Sequence, residues 1–261
     1  MLEHDVRDAS SFLLALWRGG RKAEALPLPL RPESRLEAYA IQAIGEEQSD
    51  KGVRGWKIAA TSTAGQRHIN VDGPIAGRLL AEHVLAEGMP VPLEFNRMRV
   101  AEVEFVFRMK DSLPPREDAY EPSEIMEAVE ALHLGVEVPD SRFLRFETVG
   151  AAQLIADNSC ADQFVLGAEA TPLWRNLDLG AHKVQGRSSR GLIHEGSGAN
   201  VLGDPRRALC WLVNELSSLN ITLQAGQFVT TGTCITPIPV SPGDVVTGDF
   251  GALGTIEVHF A

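Results

Sequence analysis

Four side chains in this sequence stand where their charge is costly unless it is used. Glu102 and Glu104 lie two apart in Ala101-Glu102-Val103-Glu104-Phe105-Val106-Phe107. Aromatic and β-branched residues suit a pleated, half-buried surface, so this stretch reads as a β-strand. Alternation sends Val103, Phe105 and Phe107 to one face and Glu102 and Glu104 to the other. Two neighbouring carboxylates repel, which raises the pKa of one of them. A hard divalent cation such as Mg²⁺ or Mn²⁺ would remove the repulsion, because it prefers oxygen ligands. The ordinary alternative is a solvent-facing strand with two solvated acids, since Glu is seldom buried unpaired. Glu137 sits alone in the apolar run Leu134 to Val138, where its ordinary reading is a buried acid paired with Arg142; Asp140 is a second acid that Arg142 could pair with. Lys57 is the only charge in Gly55-Trp56-Lys57-Ile58-Ala59-Ala60. It is either a snorkelling edge residue or a buried amine with a chemical role.

The elements that must position these groups follow from periodicity and caps. Residues Ser10 to Arg18 read as a helix with Leu13, Leu14 and Trp17 on one face, ended by Gly19-Gly20. A second helix is predicted from Ser34 to Glu47. Residues 1–50 thus form a small helical N-terminal region, and 51–261 form the remaining domain. The Lys57 strand runs into a helix capped by Thr61 or Ser62 and ending near Asn70. Met109 to Pro122 is a loop. Ser123 starts a helix with Met126, Val129 and Leu132 inward. Ile155 to Asp162 is a polar turn before a strand at Gln163, and Lys183 to Ile193 reads as strands. His194 to Asn200 is a glycine-rich loop that lacks the ending of a phosphate loop. Asp204 caps a helix with Pro205 at its first position. From Ile221 onward, glycine turns come too densely for βαβ units. The fold class is therefore α+β, with a rolled, mostly antiparallel sheet.

Bulk properties exclude several functions. At 261 residues, 44% hydrophobic and 23% charged, the chain can bury a full core. A formal net charge of -11 with no basic block argues against nucleic acid as a partner. Cys160, Cys210 and Cys234 are scattered and odd in number, which suits a reducing cytoplasm and neither a disulfide scaffold nor a thiolate metal site. The first residues carry acids where a signal peptide carries bases, and the apolar run Phe12 to Trp17 is too short to span a membrane. His68, His133 and His194 share no spacing with the acids and read as structural.

Gly55-Trp56-Lys57-Ile58, Glu102-Val103-Glu104, Glu137-Val138-Pro139-Asp140-Ser141-Arg142, Asp157-Asn158-Ser159 and the ending Gly243-Asp244-Val245-Val246 … Phe250 … Leu253-Gly254 occur in this order. Together they resemble the 2-oxopent-4-enoate hydratase / 2-oxo-3-hexenedioate decarboxylase family of the fumarylacetoacetate hydrolase superfamily, over about Ser10 to Phe260. The resemblance implies a rolled mixed β-structure behind a small helical N-terminal part. It implies one Mg²⁺ or Mn²⁺ held by Glu102, Glu104 and Glu137, a small 2-oxo acid substrate and a homo-oligomer. C–C hydrolase relatives carry Asp at the third ligand position, so Glu137 points to the hydratase and decarboxylase branch.

The implied reaction is addition of water to a 2-hydroxy-2,4-dienoate, giving a 4-hydroxy-2-oxo acid. Lys57, desolvated and beside the cation, is expected to have a lowered pKa and to serve as the base. Asn158, Ser159, Thr231, Gly232 and Thr233 are candidate substrate contacts, against ordinary turn hydrogen bonding. The pattern departs from the family after Pro74, where Ile75-Ala76-Gly77 stands in place of an acid. The nearest acid, Asp72, is taken as the second catalytic candidate. Arg78 could face a second substrate carboxylate, which would favour a diacid and decarboxylation; its ordinary reading is a structural ion pair. A non-catalytic relative that only binds a ligand is the third reading.

Overall fold

Strand-forming residues dominate the middle of the chain, and pairing between distant strands decides which side chains meet. The computed structural model describes residues 1–49 and 51–261. Asp50, the expected end of the helical region, lies outside the described residues. The elements in order are α1 (Glu3–Arg18), α2 (Arg35–Glu47), β1 (Val53–Ala59), α3 (Thr63–Ile69), β2 (Ile75–Leu80), β3 (Val84–Ala86), β4 (Val100–Met109), α4 (Pro122–Glu127), β5 (Val129–Val138), α5 (Ala151–Ala156), β6 (Gln163–Glu169), β7 (Lys183–Ser188), β8 (Ile193–Ser197), α6 (Pro205–Ser218), β9 (Phe228–Thr233), β10 (Ile238–Pro239), β11 (Val245–Asp249) and β12 (Thr255–His259). Among the described residues the large sheet runs β2-β1-β9-β4-β5-β6-β3, with β10 paired to β4. A second sheet runs β12-β11-β7-β8. The large sheet is mixed: β1 is parallel to β9 and β3 to β6.

Local chemistry accounts for most boundaries. Ser34 and Ser62 cap α2 and α3 through their hydroxyls, which accept from Glu37 N and Gly65 N. Asp204 caps α6, with Pro205 at its first position. Three predicted boundaries fail. Helix α1 starts at Glu3, well before the expected start at Ser10. The helix from Ser123 stops at Glu127, and Val129 and Leu132 belong to β5 instead. The long pairing of β5 with β4 overrides a helical period that was only two turns deep. The predicted loop at His194 likewise begins as strand, because β8 pairs with β7 as far as Ser197.

The core sits between the two sheets. Val103, Phe105 and Phe107 are fully buried on one face of β4, and Phe105 meets Phe250 edge-on with ring centroids 4.9 Å apart. The second sheet approaches β4 so closely that a Cβ on Gly248 would lie 2.7 Å from Val103 Cγ1. Covering that face leaves Glu102 and Glu104 to the other side. Helices α1 and α2 add Ala9, Leu13, Tyr39 and Ile41 to the same continuous core. Tyr39 Oη accepts from Ala76 N at 3.1 Å, which ties α2 to β2. No helix among the described residues is long and apolar enough to cross a membrane.

Candidate active site

Register brings the carboxylates together. Glu102 on β4 pairs directly with Glu137 on β5, and Glu104 pairs with Gly135 one step further along. One ligand oxygen from each of Glu102, Glu104 and Glu137 lies within 4.8 Å of the others. Glu104 and Glu137 are buried and Glu102 is partly exposed. The neighbouring strand β9 fixes Glu104: Thr230 Oγ1 and Gly232 N both donate to its Oε2, the second at 2.7 Å. Glu104 Oε1 and both Glu137 oxygens are buried and accept no hydrogen bond. Buried carboxylates without partners are costly. Three hard oxygen donors converging on one point are the donor set that suits a divalent cation.

Lys57 enters from β1. Its Nζ forms an ion pair with Glu137 Oε1 at 2.8 Å and donates to the Ser159 carbonyl at 3.0 Å. Burial alone pulls the Lys57 pKa down, but the charges of Glu137 and Glu102 outweigh it and hold the amine above its ordinary value. Without a cation at the cluster, the neighbouring carboxylates decide the sign; the lowered pKa expected from the sequence is that of Lys57 beside a bound cation. The acids shift together. Burial, then repulsion from Glu137, raises Glu102 to about 7. Burial and the other two carboxylates push Glu104 well above the ordinary range. Burial also raises Glu137, against the pull of Lys57.

Of these groups, Lys57 and Glu102 open into a cavity of about 670 Å³. Lys57, Glu102, Ser159, Gly232 and Thr233 line it, and Ile69, Met98, Val100, Phe146 and Ile235 form apolar walls. Gly232 is required as glycine, with φ +105 and a Cβ position 2.2 Å from Thr61 Oγ1. Several expected roles do not fit. Asp72 is exposed and outside the cavity. Ile75 is fully buried in the core rather than facing the site. Thr231 points away, donating to Phe105 O at 2.9 Å. Asn158 lies outside the cavity, with its side chain on the backbone of Arg78. Arg78 is buried under the N-terminal helices, where it stacks on Trp56 at 4.6 Å and pairs with Glu46 at 2.7 Å. It cannot meet a substrate in the cavity.

Two pairings read from the sequence also change. Arg142 pairs with neither Glu137 nor Asp140 but with Asp157, while Asp140 pairs with Lys22. Sequence reading missed Thr230, and only the alternation Thr230 in, Thr231 out along β9 could have found it.

Known proteins of similar sequence and structure agree with this architecture. A 2-keto-4-pentenoate hydratase from Paraburkholderia xenovorans is 30% identical over 241 residues, which are 89% of this chain and 87% of the relative. One from Burkholderia vietnamiensis is 29% identical over 85% of each chain. The structure of 4-oxalocrotonate decarboxylase from Pseudomonas putida G7, complexed with magnesium and adipate, superposes with a TM-score of 0.89 at 24% identity, covering 100% of this chain and 99% of that one. Residues 80–261 match the family described as fumarylacetoacetate (FAA) hydrolase C-terminal, a span that holds all three glutamates but not Lys57. With the match covering most of its length and the strand pairing above, this chain belongs to the fumarylacetoacetate hydrolase family.

Proposed function

We propose that this protein is a metal-dependent hydratase that adds water to a 2-hydroxy-2,4-dienoate, giving a 4-hydroxy-2-oxo acid, in the breakdown of aromatic compounds. The observation that carries this reading is the cluster of Glu102, Glu104 and Glu137, three converging carboxylates with the cation Lys57 beside Glu137, next to a cavity that Glu102 and Lys57 line. The hydratase relatives support the choice of reaction.

Glu102, Glu104 and Glu137 would hold one Mg²⁺ or Mn²⁺. When bound, the cation supplies positive charge that polarises the substrate's 2-oxygen. Thr230 and Gly232 keep Glu104 in the orientation that leaves Oε1 free. Lys57 Nζ holds a proton at the cavity floor, within reach of the conjugated chain. Moving that proton onto C5 as the 2-hydroxyl proton leaves gives a conjugated 2-oxo-3-enoate; water then adds its oxygen at C4, C3 gains a proton, and the proton that water sheds restores Lys57, so the substrate gains one water in all. Such a group contributes ~10²–10⁴-fold in rate. The apolar walls restrict bulk water and orient the carbon chain. The chain would work as a homo-oligomer in the cytoplasm.

The cavity wall favours hydration over decarboxylation of a diacid. Among the described residues lining it, Lys57 and His68 are the only candidate cations, and Lys57 is engaged by Glu137 and Ser159. A second substrate carboxylate would lack the counter-charge it needs. The test is a comparison of kcat/KM for 2-hydroxypenta-2,4-dienoate and 2-oxo-3-hexenedioate, with Mg²⁺ present. Preference for the monoacid by roughly tenfold or more is expected from one missing charged hydrogen bond. Faster turnover of the diacid with release of CO₂ would replace this reading by the decarboxylase.

A further inference from the structure

The segment after α5 carries an uncommon backbone. Asn158, Ser159 and Cys160 follow one another at φ 54, 53 and 60. Each is a left-handed residue other than glycine, and such residues persist only where their surroundings over-determine them.

The surroundings here are specific. Asn158 binds the edge of β2 as another strand would: its Oδ1 accepts from Arg78 N at 2.7 Å and its Nδ2 donates to Arg78 O at 2.8 Å. Ser159 Oγ donates to Ala76 O at 2.7 Å. On the far side, Asp157 is locked to Arg142, which also donates from Nη1 to Ala161 O at 2.8 Å. Glycine at position 77 permits the close approach, because a Cβ there would lie 2.3 Å from Asn158 O and 3.2 Å from Lys57 Cγ. In the sheet, Gly77 is the direct partner of Lys57. These contacts hold the turn in place, and within it the Ser159 carbonyl oxygen accepts from Lys57 Nζ.

We propose that Asn158 is a positioning residue: by clamping the turn Asn158–Cys160 to β2 it aims the Ser159 carbonyl at Lys57 and fixes the amine beside Glu137. Its side chain never enters the cavity. It acts only through Lys57, so losing it should impair the chemical step and spare substrate binding. This rests on Lys57 being the proton carrier of the hydratase proposed above.

The test uses Asn158→Gly, which keeps the left-handed backbone at no steric cost but removes both side-chain bonds. A crystal structure of the variant is expected to show Lys57 Nζ beyond about 3.5 Å from Ser159 O, outside hydrogen-bond range. With Mg²⁺ and the dienoate, kcat should fall roughly tenfold with KM within about twofold, since small misplacements of a reacting group are costly. In a Lys57→Ala background the same change should alter the residual rate less than about twofold, as residues acting as one unit are non-additive. Asn158→Asp keeps size and left-handed preference but sets a carboxylate against Arg78 O; it should show the same pattern if the glycine variant does not fold. An unmoved Lys57 in a folded variant, equal losses in both backgrounds, or a raised KM at constant kcat would each overturn the proposal. If the wild-type protein fails to hydrate the dienoate, the reaction falls, while the Nζ position in the variant still decides the positioning role.

Discussion

Replacing Glu104 by Gln should change the protein in two opposite directions. The wild-type carboxyl is fully buried within 4.8 Å of two other carboxylates. At 4.8 Å and an effective dielectric near 20, each like-charged pair costs about 3.5 kcal/mol. Glu104 can escape this by taking up a proton, and its pKa is indeed pushed well above the ordinary 4.5. At about pH 8 that escape costs at most about 5 kcal/mol, at roughly 1.4 kcal/mol per pH unit. Lys57 offsets part of either cost. The isosteric amide removes the charge and still accepts from Thr230 and Gly232. Metal-free Glu104→Gln should therefore be more stable than wild type by about 2–4 kcal/mol near pH 8, or roughly 4–10 °C in Tm. The same variant loses one of three charged ligands, so its affinity for Mg²⁺ should drop by on the order of a hundredfold or more. Thermal unfolding of chelator-stripped protein, with and without Mg²⁺, reads both effects. A metal-free variant less stable than wild type, together with an undiminished response to Mg²⁺, would refute the reasoning.

Other outcomes follow from the same geometry. Glu102 is raised from 4.5 to about 7, so between those values the folded, metal-free protein binds more protons than the unfolded chain. Its stability should therefore fall as pH rises from about 4.5 to about 7, by about 3 kcal/mol, and keep falling above that as Glu104 gives up its proton; a rise over that window in chelator-treated protein would contradict this. Over the same interval Mg²⁺ affinity should increase with pH, measured by calorimetry, because protons compete for the ligands. Lys57→Met should lower kcat by ~10²–10⁴-fold and destabilise the metal-free fold, since the carboxylates lose the cation paired with Glu137. Asp157→Asn leaves Arg142 buried and half-paired, and should cost about 3–5 kcal/mol in denaturant unfolding. Asp72→Asn should leave kcat and KM within about twofold in steady-state assays, because an exposed residue outside the cavity has no partner in the reaction.

The sequence carried the site further than it carried the fold. Alternation along one strand placed Glu102 and Glu104 on a common face, and the apolar surroundings of Glu137 and Lys57 marked both as unusual. What joins the four is strand register. That Glu102 pairs with Glu137, and that β1 lies two strands from β4 across β9, depends on contacts between residues far apart in the chain. The Lys57 shift rests on contacts of the same kind, since its direction without a cation is set by which carboxylates face the amine. Caps such as Ser34, Ser62 and Asp204 were legible because they act within four residues. The helix expected through Val129 failed because its apolar spacing also fits a strand that a long partner holds in place. Asn158 read as a turn residue that could touch substrate, yet its polar atoms are spent on the backbone of β2.

The measurement that bears most directly on the account is the ultraviolet absorbance of 2-hydroxypenta-2,4-dienoate mixed with protein stripped by chelator and then supplied with Mg²⁺. Loss of the conjugated dienol signal only after the metal is added, with 4-hydroxy-2-oxopentanoate as the product and no such loss for Glu104→Gln, is the predicted result. Equal turnover with and without metal, or no turnover by wild-type protein shown to bind Mg²⁺, would contradict it.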